Sequence, residues 1–407
     1  MNNNESGYEA YGSISAVLAI YLPVHPSMQG VLIMLGIPSF LLGFLLLIPT
    51  LFFFLKSKID RFEFQVFFIL FCLVMWLVFK SLTSQSIGGI QFLRTLSSFI
   101  LLILSSVCAY VAAKNSQVSL NTIAILGSVA LIHFLYVLTS TGFTFGDLAF
   151  QSLSSNNEKQ NYQSTAYYFG FVAVFFISQV FSYKNSSRKR LESFVFIIGV
   201  ITFMSLVGAR GSVIAILFTF LFIFIIAKRV RSFKLIVVTL LMVIVSMTVI
   251  NIDFLLEHLT IFQRFQSLGD GSDSSKRVFL FTSALELWTS SPVNFIFGNG
   301  IATFPDYIGK QGAGWYPHNF LLECLAEAGI ISVIPQLILF YFFYIKAKHY
   351  TDPNLYVYNF SLALAIYSLV NFQFIGGILT MWNPFFFILF AIFSLNRQKC
   401  INEEQTQ

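Results

Sequence analysis

The chain has 407 residues and a formal net charge of +6, with 57% hydrophobic but only 10% charged residues. Because soluble domains carry roughly a quarter charged residues, this composition excludes an ordinary water-soluble protein and indicates a membrane protein. Lysine and arginine have an ordinary role in orienting membrane spans, so the positive charge gives no reason to expect nucleic acid as a partner.

Apolar segments that are long enough to cross a bilayer recur along the whole chain. They predict a helical bundle of about twelve transmembrane helices, or about eleven if the first segment, interrupted by Pro23 and Pro26, does not span. The segments lie near residues 12–27, 31–55, 63–80, 92–113, 118–140, 165–183, 191–209, 212–227, 233–250, 319–345, 355–373 and 376–395.

Lysine and arginine are concentrated in alternate connections between these segments. Since short cytoplasmic connections are enriched in both residue types, the basic connections and both termini are expected inside. The chain is therefore predicted to have three parts. They are an N-terminal bundle of about nine spans over residues 1–250, a large periplasmic loop over 251–317, and C-terminal spans with a short cytoplasmic tail over 318–407.

The first candidate functional residue is Arg210, in the joint Gly208-Ala209-Arg210-Gly211-Ser212 between two predicted spans. Gly208 and Gly211 allow the backbone to turn there and to approach a ligand closely. An arginine can form a forked pair of hydrogen bonds with two phosphate oxygens, which a lysine cannot do with the same geometry. The alternative is an interfacial arginine that extends to lipid headgroups, and Arg210 alone does not decide between the two.

Two further arginines lie in the long outer loop. Arg277 is near the start of a predicted surface helix that runs from Ser274 to Trp288, and Arg264 lies upstream of it. Taken singly, each is more typical of a solvated loop charge than of a ligand-binding group. Four apolar residues of the helix recur at helical spacing and are expected to face the bundle: Phe281, Ala284, Leu285 and Trp288.

His318 lies where the loop meets the next long apolar segment, in Pro317-His318-Asn319-Phe320-Leu321-Leu322-Glu323. Pro317 and the apolar run that follows indicate that His318 is at a helix N-terminus. The helix dipole there disfavours a protonated imidazole, and a neutral imidazole can accept a proton from a sugar hydroxyl as a general base. The alternative is a histidine that caps the helix, which is the more frequent role for such a residue taken alone.

Two carboxylates follow in the same predicted helix, Glu323 and Glu327, four residues apart and on one face. In a straight helix Glu327 is about 13 Å beyond His318 and on the opposite side, so it cannot orient that ring. We interpret Glu327 as a buried partner for another span. Gly298-Asn299-Gly300 is interpreted as a turn rather than an anion-binding nest, and no metal-binding or nucleotide-binding pattern is found, so no cofactor is expected.

Three segments, in order around the long loop, resemble the bacterial O-antigen polymerase and O-antigen ligase superfamily of lipid-linked polysaccharide polymerases and ligases. The joint Gly208–Ser212 is similar to its arginine signature with small residues. The stretch from Arg277 to Gly300 is similar to its outer-loop segment, and Pro317–Gly329 is similar to its signature of His-Asn followed by Glu-x-Gly. The resemblance covers roughly residues 195–345, and Ile330-Ile331-Ser332 departs from it where the family often has another glycine.

The resemblance implies an all-α polytopic membrane bundle of the GT-C-like type and a metal-independent, inverting glycosyltransferase. Donor and acceptor would be undecaprenyl-pyrophosphate-linked oligosaccharides, used at the periplasmic face of the bacterial inner membrane in lipopolysaccharide biosynthesis. Membrane lipids are expected partners, and a chain-length regulator is a further candidate partner. Under this hypothesis Arg210 and Arg277, with Arg264, bind the pyrophosphate, and His318 deprotonates the acceptor hydroxyl. The expected supporting residues are Glu327, Asn319, Gly208 and Gly211.

Several functions remain open at this point. An O-antigen polymerase is favoured over an O-antigen ligase, which would share the fold and the site but transfer the glycan to lipid A-core. A lipid-linked oligosaccharide flippase is a more remote alternative, because transporters carry charged residues at mid-membrane depth and often internal repeats, whereas deep charges are few here and no internal repeat is found. A purely structural membrane partner would not explain why Arg210 and His318 are predicted on the same side.

Overall fold

The computed structural model describes residues 13–21, 39–84, 89–140, 162–182, 185–206, 210–226, 272–310, 315–349 and 356–406. Within these ranges all regular structure is helical and no strand occurs, which confirms the predicted all-α class. The predicted span near 233–250, Gly208 and Arg264 lie outside the described residues.

The helices fall into three groups along the chain. Before the loop they are α1 (residues 13–21), α2 (Ser39–Leu55), α3 (Arg61–Leu82), α4 (Gly89–Ala113), α5 (Ser116–Ser140), α6 (Tyr162–Val180), α7 (Ser187–Leu206) and α8 (Arg210–Ile226). The loop contains α9 (Ser272–Thr289), α10 (Pro292–Phe297) and α11 (Thr303–Tyr307). The C-terminal part contains α12 (Phe320–Glu323), a π-helical turn (Cys324–Ala328), α13 (Gly329–His349), α14 (Tyr356–Ile375), a 3-10 turn (Ile378–Thr380) and α15 (Trp382–Thr406).

Four of the described helices are long and apolar enough to cross a membrane, namely Arg61–Leu82, Phe92–Ala113, Phe320–Lys348 and Val357–Phe374. Three shorter helices are also apolar: Leu46–Leu55, Phe169–Val180 and Gly211–Phe224. The chain is therefore a helical membrane protein, while the total of about twelve spans and the three-part division stay predictions.

Helix α3 illustrates how the apolar sequence is divided between core and surface. Its buried and exposed apolar residues alternate at intervals of three and four, as two stripes on opposite faces of one helix require. The buried stripe is Val66, Leu70, Leu73, Val74 and Leu77, and the exposed stripe is Phe64, Phe68, Phe71, Met75 and Phe79. An exposed apolar stripe of this length is typical of a lipid-facing surface, since lipid tails are as apolar as the core.

The two ends of α3 have different surroundings. Asp60 caps its first turn by accepting from the Glu63 N–H at 2.7 Å, and Arg397 of α15 contacts the Glu63 carboxylate at 3.2 Å. Lys346 donates to Asn396 at 2.6 Å beside them. Three of the basic connections predicted inside, at residues 56–61, 346–348 and 397–399, thus lie at the same end of the bundle. At the opposite end Ser84 donates to the Ile301 carbonyl of the loop at 2.7 Å.

Candidate active site

The loop is attached to the bundle where two glycines cross, and we call this crossing the glycine clasp (Gly298 and Gly329). Both have positive φ angles, 73° and 71°, which favour glycine. A Cβ on Gly298 would lie 2.4 Å from the Gly329 nitrogen, so no side chain fits between the two backbones. The sequence Gly298-Asn299-Gly300 is a turn, as predicted.

The π-helical turn supplies the acceptors for the clasp. Three consecutive carbonyls accept hydrogen bonds from outside the helix, because the helix is interrupted at Gly329. Asn299 N–H donates to Ala326 at 3.1 Å and Gly300 N–H donates to Glu327 at 2.8 Å. The Trp76 indole of α3 donates to Ala328 at 2.8 Å. The amides of the turn are therefore occupied by carbonyls rather than open to an anion.

Glu327 holds the loop rather than another span. Its side chain is buried, and its two carboxylate oxygens accept from the backbone N–H groups of Ala302 at 2.9 Å and Phe304 at 3.2 Å. These N–H groups lie at the start of α11, where a helix has donors without partners of its own. The prediction of a partner on another span is wrong, because the π-helical turn directs this face of the helix toward the loop.

Lys80 is a further contact between α3 and the clasp that the sequence analysis did not identify. It is buried, and its Nζ donates to the Gly298 carbonyl at 3.1 Å. A single cation within an apolar span is costly unless it has a partner, and this signal was available in the sequence.

The segment before α12 holds His318 in an unusual backbone conformation. His318 has a φ of 52°, in the left-handed region that non-glycine residues rarely adopt. The helix begins at Phe320, as predicted, but Asn319 is its N-cap and accepts from the Leu322 N–H at 3.0 Å. Since Asn319 has the capping role, the imidazole of His318 is not needed for it.

The surroundings of His318 favour a neutral imidazole. Its half-buried ring lies against the ring of Tyr316, with 4.1 Å between the centroids. Burial lowers the pKa of His318, and the positive charge of Arg277 lowers it further. Burial and a neighbouring guanidinium thus act in the same direction as the helix dipole expected from the sequence.

Arg277 comes close to this segment because of how α9 packs. The buried apolar residues of α9 are Leu280, Ala284 and Leu287, which contact Phe304 of α11 and Ala326 of the π-helical turn. Arg277 is three residues before Leu280, so it lies on the same face of the helix. Its charge acts on His318 and also on Tyr316, whose pKa burial and Glu323 raise to about 12 against the opposing effect of Arg277.

The predicted face of α9 is only partly right. Of its four residues Ala284 is buried, but Leu285 is 42% exposed and Trp288 is only half-buried, stacked on Phe295 with 4.5 Å between the ring centroids. The helix has apolar residues on several sides, so spacing alone was consistent with more than one face.

Arg210 is the first residue of α8, and its side chain lies outside the described residues. The residues after it contact the end of α14. Ser212 donates to Asn371 at 2.9 Å, and a Cβ on Gly211 would lie 2.7 Å from Phe374. On the same end of α14, Phe372 contacts Phe320, with 5.1 Å between the ring centroids. The backbones that carry Arg210 and His318 therefore approach the same end of α14.

A helix of the loop thus brings Arg277 close to His318, directly before an apolar helix that is long enough to cross a membrane. Residues 193–335, from α7 to α13, match the family model described as O-antigen ligase. This match supports the O-antigen polymerase and ligase superfamily. No curated protein matches the chain. Among the described residues, no group of three or more His, Cys, Asp and Glu side chains is arranged to hold a metal ion.

Proposed function

We propose that the chain is an O-antigen polymerase, or the polymerase of a related surface polysaccharide. It transfers a glycan from undecaprenyl pyrophosphate to a sugar hydroxyl of another lipid-linked repeat at the periplasmic face of the inner membrane. The observation that carries the proposal is the half-buried His318, kept neutral by burial and by Arg277, within the O-antigen ligase family domain. A neutral imidazole beside a guanidinium suits a reaction between a hydroxyl and a pyrophosphate ester.

In the proposed reaction His318 accepts the proton of the acceptor hydroxyl while the hydroxyl oxygen attacks the anomeric carbon of the donor sugar. The bond from that carbon to the pyrophosphate oxygen breaks, and undecaprenyl pyrophosphate leaves with the electron pair. A single in-line displacement inverts the anomeric carbon. Arg210 and Arg277, with Arg264, bind the pyrophosphate and offset the negative charge that grows on it, so the reaction is proposed to be metal-independent.

Donor binding also changes the basicity of His318, because both depend on the charge of Arg277. Arg277 lowers the pKa of His318 in the free protein. A bound pyrophosphate offsets the charge of Arg277, so the pKa of His318 rises when the donor is present. The imidazole is then a stronger base in the complex that reacts than in the free protein.

A ligase is the second candidate, because the matching family is described by that activity. Its acceptor would be lipid A-core instead of another lipid-linked repeat. A gel of surface glycans from a strain without the gene separates the two. Single repeats attached to the core are expected for a lost polymerase, whereas a core without any repeat would contradict the polymerase and favour the ligase.

A further inference from the structure

A second carboxylate lies one helical turn beyond the N-cap of α12. The Glu323 N–H donates to the Asn319 carbonyl at 3.0 Å, and the side chain of Glu323 is only 7% exposed. Glu323 is three residues after Phe320, so both side chains lie on the face toward the end of α14. Its carboxylate meets the turn that follows α14, where a Cβ on Gly377 would lie 2.6 Å from Oε2.

The Glu323 carboxylate is incompletely bonded, unlike that of Glu327. It faces the Ile378 N–H, but its Oε2 is buried without a hydrogen-bond partner. Both oxygens of Glu327 accept backbone N–H groups. A buried carboxylate oxygen without a donor costs free energy, and a ligand that supplies the donor removes that cost.

Glu323 also lies near the groups of the proposed reaction. Its charge contributes to the raised pKa of Tyr316, and the Tyr316 ring contacts His318. A pyrophosphate ester offers no donor to the unpaired Oε2, so Glu323 is unsuited to the phosphate side of the site. It is suited to a sugar, whose hydroxyl groups can donate to this oxygen.

We propose that Glu323 determines acceptor binding. Its Oε2 accepts a hydrogen bond from a second hydroxyl of the sugar whose reacting hydroxyl is deprotonated by His318. This inference rests on the proposed function. It adds a positioning contact on the acceptor and assigns no proton transfer to Glu323.

The test uses a probe that can act only as the acceptor. The repeat oligosaccharide is released from its lipid by mild acid, so it lacks the pyrophosphate. Transfer by the purified full chain is measured against the concentration of this oligosaccharide, and separately against that of the lipid-linked donor. Glu323→Gln, which keeps the shape of the side chain, is expected to raise the acceptor KM about tenfold and to leave the donor KM within about twofold.

Two further variants keep the test decisive. Gly377→Ala adds a Cβ next to Oε2 at a residue whose φ of −145° suits any amino acid, and it is expected to raise the acceptor KM in the same way. Gln336→Leu is the matched control, a buried residue of α13 that donates to the Ser332 carbonyl at 3.0 Å, and it is expected to change the melting temperature without changing the acceptor KM. If Glu323→Gln does not fold, Gly377→Ala alone decides.

The outcomes separate this inference from the function on which it rests. If the wild-type chain transfers glycan and the acceptor KM is unchanged in Glu323→Gln and Gly377→Ala, the role of Glu323 is wrong and the polymerase is unaffected. If the wild-type chain transfers no glycan from the lipid-linked donor, the proposed function fails and the acceptor role fails with it.

Discussion

His318 has a backbone conformation that costs about 1–3 kcal/mol for a residue other than glycine. A capping role would explain a histidine at this position, but Asn319 is the N-cap. Strain of this kind persists where the surrounding structure enforces it, and it is frequent at active sites. The strain and the neutral ring together favour a functional role for His318.

His318→Ala is expected to abolish transfer, because no other group is proposed to accept the proton of the acceptor. The variant should be present in the membrane in the same amount as the wild-type chain and should have the same melting temperature. Transfer is measured as lengthened glycan from lipid-linked repeats. Residual activity near the wild-type level would contradict the general base.

Arg210→Lys is expected to lose transfer severely, since a lysine cannot form the forked pair of hydrogen bonds with two phosphate oxygens. The matched control is Arg188→Lys on α7, where Arg188 is exposed and pairs with Glu192 four residues away, at 2.9 Å. The control should keep its activity. Near-normal activity in Arg210→Lys would refute the pyrophosphate clamp.

The dependence of the rate on pH tests the effect of Arg277 on His318. A general base must be unprotonated, so the rate falls as the pH falls through its pKa. Arg277→Gln removes a positive charge that lowers the pKa of His318, so the acid limb of kcat/KM should move to higher pH. In the wild-type chain the acid limb of kcat should lie above that of kcat/KM, because donor binding offsets Arg277. An acid limb that stays in place in Arg277→Gln would contradict the coupling.

The glycine clasp connects the loop to the bundle. A side chain at Gly298 would be unfavourable for two reasons, steric crowding and a positive φ, and the two effects can be tested separately. Gly298→Ala places a Cβ 2.4 Å from the Gly329 nitrogen, whereas Gly309 has a similar φ of 67° and none of the described atoms lies within 4 Å of its Cβ position. Gly309→Ala is therefore the control for strain alone, which costs about 1 kcal/mol.

Gly298→Ala is expected to detach residues 298–304 from the π-helical turn and to abolish transfer, while Gly309→Ala keeps most of the activity. Hydrogen exchange measures the detachment, since the amides of Asn299 and Gly300 lose their acceptors in the first variant. Equal protection of these amides in both variants would contradict the clasp.

The elements around the site differ in how well the sequence predicted them. The start of α12 and the helix over Arg277 were predicted, because proline, apolar runs and helical spacing are local signals. The π-helical turn was not predicted, since the spacing was interpreted as that of a uniform α-helix, which contains no such turn. For the same reason Glu327 was assigned to another span, although it binds the start of α11.

The site as a whole depends on contacts between distant parts of the chain that no spacing reveals. Lys80 and Trp76 hold the carbonyls of Gly298 and Ala328, more than two hundred residues away. The sequence shows only that Lys80 lies in an apolar segment, where a cation needs a partner. By contrast, the all-α class follows from the composition and from the lengths of the apolar segments, which can be read from the sequence directly.

The topology can be tested from the two ends of α3. With the native cysteines replaced, Lys310→Cys in the loop should react with a membrane-impermeant maleimide in intact spheroplasts. Lys58→Cys, at the basic end of α3, should react only after lysis. The opposite pattern would contradict a periplasmic site, because the loop and the basic connections lie at opposite ends of this helix.

The most direct test is glycan transfer by the purified chain in liposomes that contain only lipid-linked repeats and no ion gradient. The wild-type chain should join repeats into longer lipid-linked glycans in the presence of a chelator, and His318→Ala should form none. No lengthening by the wild-type chain, or equal lengthening by His318→Ala, would contradict the proposed polymerase.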